Sequence, residues 1–126
     1  MGEERRQCSR LDVRLTIIVT ILSTGKVRRA LTKNISGTGL RLVVEESVQT
    51  GDELGLEIHL PDRSTPMTCK GTVTWTQPSS EPRKSYQPQL LEIEVAFTDL
   101  PPKDRATITQ YAALNALPPM SDDPRA

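Results

Sequence analysis

The run Val13-Arg14-Leu15-Thr16-Ile17-Ile18-Val19-Thr20-Ile21-Leu22 decides the fold class. Its odd positions, Val13, Leu15, Ile17, Val19 and Ile21, are all apolar, while Arg14, Thr16 and Thr20 hold even ones. Successive strand side chains point to opposite faces, so this spacing predicts a strand with one buried and one wet face. The same period returns further along the chain. Residues 52–60 set Leu54, Leu56, Ile58 and Leu60 against Glu53, Glu57 and His59. Residues 67–76 set Met67, Cys69, Val73 and Trp75 against a row of threonines and Lys70, and residues 90–97 set Leu91, Ile93, Val95 and Phe97 against Glu92 and Glu94. Two less regular runs, 26–35 and 40–44, bring the predicted strands to six. Trp75 and Phe97 share faces with Val73 and Val95 and are assigned to the core.

Turn signals separate these runs at 23–25, 34–39, 49–52 and 61–66, and the Pro-, Ser- and charge-rich connection 77–89 reads as a mobile hairpin loop. Short strands spaced in this way predict an antiparallel sheet, closed into a barrel or folded into a sandwich. After Phe97 the period changes. Asp99-Leu100-Pro101-Pro102 reads as a helix start, and Ile108, Tyr111, Ala112 and Asn115 fall on one face at helical spacing. One helix is expected over 102–117, followed by a disordered tail, 118–126, rich in Pro and Asp.

Composition narrows the function. The 126 residues suit one domain, and sixteen Lys+Arg against sixteen Asp+Glu give a formal charge of zero. That balance removes the bulk attraction that nucleic acid or a membrane surface exerts on a basic protein. One Trp, two Tyr and one Phe are too few for a single-strand stacking platform, so neither DNA nor RNA is expected as a partner. Cys8 and Cys69 have no Cys or His close enough for a zinc pair, and reduced thiols in the cytoplasm fit them best. The apolar run 15–22 is too short to span a bilayer, and Asp12 before it and Lys26, Arg28 and Arg29 after it exclude a signal peptide. A cytoplasmic protein with no membrane insertion is expected.

Catalysis finds no support. His59 lies on a polar strand face, Ser36 lacks the Gly-x-Ser-x-Gly setting, and Ser23-Thr24-Gly25-Lys26 has Thr20 where a phosphate-binding loop needs its first glycine. Glu45-Glu46 and the Glu92/Glu94 pair read as solvating charges. No catalytic residue, metal ligand or cofactor is expected, and the chain is read as a non-enzyme.

Two features remain. Arg5, Arg6 and Arg10 place three guanidiniums just before the first strand. Each offers planar, forked donors that match phosphate oxygens or the O6/N7 edge of guanine, and each can stack on a base. The second feature is Asn34-Ile35-Ser36-Gly37-Thr38-Gly39 between the second and third strands, where Asn and Ser bond nearby backbone and glycine loosens it.

In this order, Arg-x-x-x-Arg (Arg6, Arg10) followed by Asn-x-Ser-x-x-Gly (Asn34, Ser36, Gly39) resembles the PilZ domain family. Gly51-Asp52 before an alternating strand, Gly71-Thr72-Val73-Thr74-Trp75, and Val95-Ala96-Phe97 before a terminal helix extend the resemblance over most of the chain. It implies a six-stranded antiparallel β-barrel with one C-terminal α-helix, and the bacterial second messenger cyclic di-GMP as ligand. Arg6 and Arg10 would then be the ligand-binding arginines of a flexible arm, residues 1–12, in front of a barrel-and-helix body, 13–117. Asn34, Ser36 and Gly39 would line the barrel surface. Arg5 stands where the family's ligand number is set, and a third cation there favours two stacked molecules. Asn34 stands in place of the commoner Asp, and Glu94 takes a position often held by glycine, where a carboxylate near the ligand would repel phosphate. The expected mechanism is ordering of the arm by the dianion, read by a downstream protein partner. The alternative is a PilZ-like interaction scaffold that binds no nucleotide.

Overall fold

The computed structural model describes residues 10–45, 48–79, 86 and 89–116. The strands are β1 (Thr16–Ile21), β2 (Lys26–Ile35), β3 (Gly39–Val44), β4 (Glu53–Ile58), β5 (Met67–Pro78) and β6 (Leu91–Phe97), followed by the helix α1 (Pro102–Ala116). All pairings are antiparallel, in the order β1-β2-β3-β6-β5-β4, and β4 pairs back onto β1. Of the two arrangements open to the sequence, the chain takes the closed barrel, which leaves no unpaired sheet edge.

The alternation accounts for the interior. Ile17, Val19 and Ile21 of β1, Leu40, Leu42 and Val44 of β3, Leu54, Leu56 and Ile58 of β4, and Ile93, Val95 and Phe97 of β6 are all buried in one core. Gly25 closes the first hairpin at φ 78°, where a side chain would be strained, and its N–H donates to the Ile21 carbonyl at 2.7 Å. Helix α1 buries Ile108 and Ala112, with Tyr111 packed against the core. Asn115 does not join that face. It is exposed, and its amide instead donates to the Tyr111 carbonyl at 2.8 Å.

Three differences from the sequence reading stand out, and β-bulges interrupt two of the ladders. The register between β2 and β3 shifts at Lys33, and that between β5 and β6 shifts at Thr74. β1 begins at Thr16, and residues 11–15 do not extend it. Leu11 forms an isolated bridge with Ile35. Buried Thr32 replaces the missing ladder bonds: its hydroxyl accepts from the Leu15 N–H at 2.9 Å and donates to the Val13 carbonyl. At Thr74 the extra residue turns Trp75 outward opposite Glu94, so Trp75 is only half-buried and is not a core residue; Phe97 is. The third difference is length. β5 continues to Pro78, because Glu92 and Leu91 still offer it partners.

Cys69 gives this barrel a measurable pH response. Burial, aided by the carboxylates of Asp99 and Asp104, pushes its thiol from the ordinary 9.0 up to about 12. The unfolded chain therefore ionises first as pH rises. The stability this group contributes is complete below pH 9 and is lost as pH climbs towards 12, by roughly 1 kcal/mol for each pH unit. Urea midpoints of the wild type should fall across that window, and Cys69→Ala should remove this component of the fall. Parallel curves for the two proteins would contradict the assignment.

Candidate functional site

The bulge at Lys33 builds this site. Ala30 and Thr32 face the core, and unbroken alternation would send Asn34 inward as well. The extra residue leaves both Lys33 and Asn34 on the outer surface and returns Ile35 to the interior. Asn34 then pairs with Arg41 of β3, Arg41 with Glu94 of β6, and Glu94 with Trp75 of β5. Four strands thus present one polar row, with each neighbour set by backbone register.

The row is tied together by charge. The Arg41 guanidinium donates to Glu94 Oε1 from Nε at 3.2 Å and from Nη2 at 2.9 Å, and sits 4.7 Å from the centre of the Trp75 ring. A cation over an indole face adds an attraction of about 1 kcal/mol to the ion pair. Glu92, only 5% exposed, has Arg41 Nη1 at 3.5 Å and Lys33 Nζ at 3.7 Å, as a buried carboxylate requires. A cleft of about 500 Å³ opens beside this row, lined by Asp12, Val13, Arg14, Lys33, Asn34, Arg41 and Glu92. Three cations against two carboxylates bias it towards anions.

Arg10 stands at this end of the row. The Leu11–Ile35 bridge, with N–H···O distances of 2.9 and 3.0 Å, lays the chain along the end of β2. Arg10 Nη1 donates to Asn34 Oδ1, and Nη2 donates to Glu94 Oε2 at 3.2 Å. The sequence separates Arg10 and Asn34 by 24 positions, and the fold joins them. Around the following turn, the Ser36 N–H donates to the Gly39 carbonyl at 2.8 Å, and the Ser36 hydroxyl lies 3.0 Å from that of Thr38. A Cβ on Gly37 would lie 2.2 Å from Thr109 Oγ1, so α1 packs directly on this turn. The PilZ domain model matches residues 4–114.

The chain belongs to the PilZ domain family. Solved structures share the fold at low identity. The Bacillus subtilis inhibitor of motility MotI/DgrA is 22% identical, with a TM-score of 0.70 over 90% of this chain and 54% of that one. The PilZ domain of YcgR from Escherichia coli, solved with c-di-GMP, is 12% identical, with a TM-score of 0.67 over 89% of this chain and 94% of that one. The Borreliella burgdorferi PlzA protein in complex with c-di-GMP is 12% identical, with a TM-score of 0.58 over 90% of this chain and 53% of that one. This chain thus spans about half the length of MotI/DgrA and of PlzA. No curated protein sequence matches it. Among the described residues, no helix of this PilZ domain is long and apolar enough to cross a membrane.

Of the residues singled out from the sequence, this PilZ domain brings Arg10 and Asn34 into contact. Ser36 is 2% exposed and its hydroxyl is engaged within the turn. Gly39 lies against β6, where an added Cβ would meet the Val95 carbonyl oxygen at 2.3 Å. Arg5 and Arg6 lie outside the described residues. Sequence reasoning passed over Arg41 and Lys33 and left Trp75 inside. The available signal was Arg41 itself, a cation between two apolar residues in the middle of a short strand.

Proposed function

We propose that this chain is a cyclic di-GMP receptor whose Arg-rich arm, residues 1–12, closes over the ligand and whose altered surface is read by a protein partner in the cytoplasm. The observation that carries the reading is the meeting of Arg10 with Asn34 at a cationic cleft of about 500 Å³. The Arg10 fork suits a phosphate or the O6/N7 edge of guanine, and the Asn34 carbonyl accepts from the guanine N–H groups. Arg5 and Arg6 supply the remaining guanidiniums, and the third cation offsets the charge of a second stacked dianion. Ser36 and Gly39 act by fixing the turn that carries Asn34. Arg41 and Lys33, which line the same cleft, add positive charge. No catalytic residue enters this reading, and the body that receives the arm is residues 13–117, with 118–126 as a tail.

An amide NMR titration with cyclic di-GMP tests it. Saturable shifts are expected at Arg10, Leu11, Asn34 and Arg41, with little change at Gly25 in the β1–β2 turn. A spectrum unmoved by excess ligand would leave the chain a PilZ scaffold acting through protein contacts alone.

A further inference from the structure

We propose that Glu94 sets the ligand affinity of this site as an internal anion that competes with the incoming phosphate for Arg10 and Arg41. The proposal rests on the cyclic di-GMP reading above and concerns a residue that reading leaves unassigned. The Glu94 carboxylate uses both oxygens. Oε2 accepts from Arg10 Nη2 at 3.2 Å, and Oε1 accepts from Arg41 Nε at 3.2 Å and Nη2 at 2.9 Å. Its place is fixed by register, between Arg41 on β3 and Trp75 on β5.

A carboxylate and a phosphate make the same demand on a guanidinium, namely forked N–H donors and a balancing charge. A phosphate brought to Arg10 therefore meets donors already engaged by Glu94. If the carboxylate stays, a dianion binds within a screening length of a like charge. If it swings away, its bonds to Arg10 and Arg41 are lost. Either route weakens binding.

The opposite role, holding Arg10 in place for the ligand, is already served by Asn34, whose Oδ1 accepts from the other terminal nitrogen of the same guanidinium. Arg41 likewise has two contacts that do not involve Glu94, the Glu92 carboxylate at 3.5 Å and the Trp75 face. Neutralising Glu94 thus removes the competitor and keeps the scaffold.

The test is calorimetry of the full chain with cyclic di-GMP for wild type, Glu94→Gln and Glu94→Ala. The Kd of both variants should fall roughly three- to tenfold, the scale of a partly exposed ion pair together with like-charge repulsion. The gain should shrink in about 0.5 M salt, where such pairs are screened. A purely structural role predicts weaker binding or none of this salt dependence. Unchanged or weaker affinity in both variants, with a wild type that binds, overturns the role of Glu94 and leaves the receptor reading standing. No binding by any of the three proteins overturns both.

Discussion

Arg10→Ala should weaken cyclic di-GMP binding by about a hundredfold or more, while Arg10→Lys should recover part of the loss. The side chain donates through both terminal nitrogens, to Asn34 and to Glu94, from a partly exposed position at the edge of the cationic cleft. Turned to a ligand phosphate, this fork would make two charge-assisted hydrogen bonds of about 1.5–3 kcal/mol each, and losing both at once corresponds to at least two orders of magnitude in Kd. Lysine restores the charge but not the planar fork, so an intermediate affinity is expected. Neither change should alter the unfolding free energy by more than about 0.5 kcal/mol, because Arg10 is exposed and lies outside the core. Equilibrium binding with a fluorescent ligand analogue, run beside urea denaturation, separates the two effects. Full affinity in Arg10→Ala would remove this residue from the site.

Gly39→Ala should act in the opposite way, on the fold before the ligand. Gly39 pairs with Ala96, and a Cβ built on it lies 2.3 Å from the Val95 carbonyl oxygen and 3.2 Å from the Ala96 Cα. These are backbone atoms of a paired strand and cannot turn aside as a flexible side chain would. β3 and β6 must separate, which strains the ladder that positions Arg41 and Glu94. A loss of about 2–4 kcal/mol is expected, a large part of the stability of a small domain. Thermal denaturation should show Tm lowered by roughly 10 °C. An unchanged Tm with weakened binding would instead mean that the glycine is there for the ligand's approach.

The two outcomes separate the roles within the two motifs. Arg10 and Asn34 offer donors and an acceptor at the surface. Ser36, Gly37 and Gly39 hold the turn between β2 and β3 against α1 and β6. A short serine hydroxyl with its partners inside the turn has little left to give a ligand, and its contribution is the shape of the backbone that presents Asn34.

The barrel was legible in the sequence because its inward residues repeat with period two, and hydrophobic burial enforces that period wherever the ladder is regular. Leu54, Leu56 and Ile58 needed nothing more. The site was legible only in part, because it sits where the period breaks. An extra residue at Lys33 turns Asn34 outward and one at Thr74 does the same to Trp75, and nothing in either stretch announces a bulge. Trp75 therefore read as core. Glu94 read as a solvating charge and Arg41 was passed over, since an outward residue looks the same in sequence whether its neighbour is water or a charged group on the next strand. Their meeting depends on β3 lying beside β6, a pairing across a long connection that alternation does not encode. The bridge between Leu11 and Ile35, which brings Arg10 to Asn34, was hidden for the same reason.

One isothermal titration of the wild-type chain with cyclic di-GMP weighs the whole account most directly. Saturable heat with a defined stoichiometry, two ligand molecules for each chain, is the result this proposal predicts from an arm that carries three arginines, Arg5, Arg6 and Arg10. A flat trace at high ligand concentration, from a protein whose circular dichroism shows the barrel intact, would contradict it.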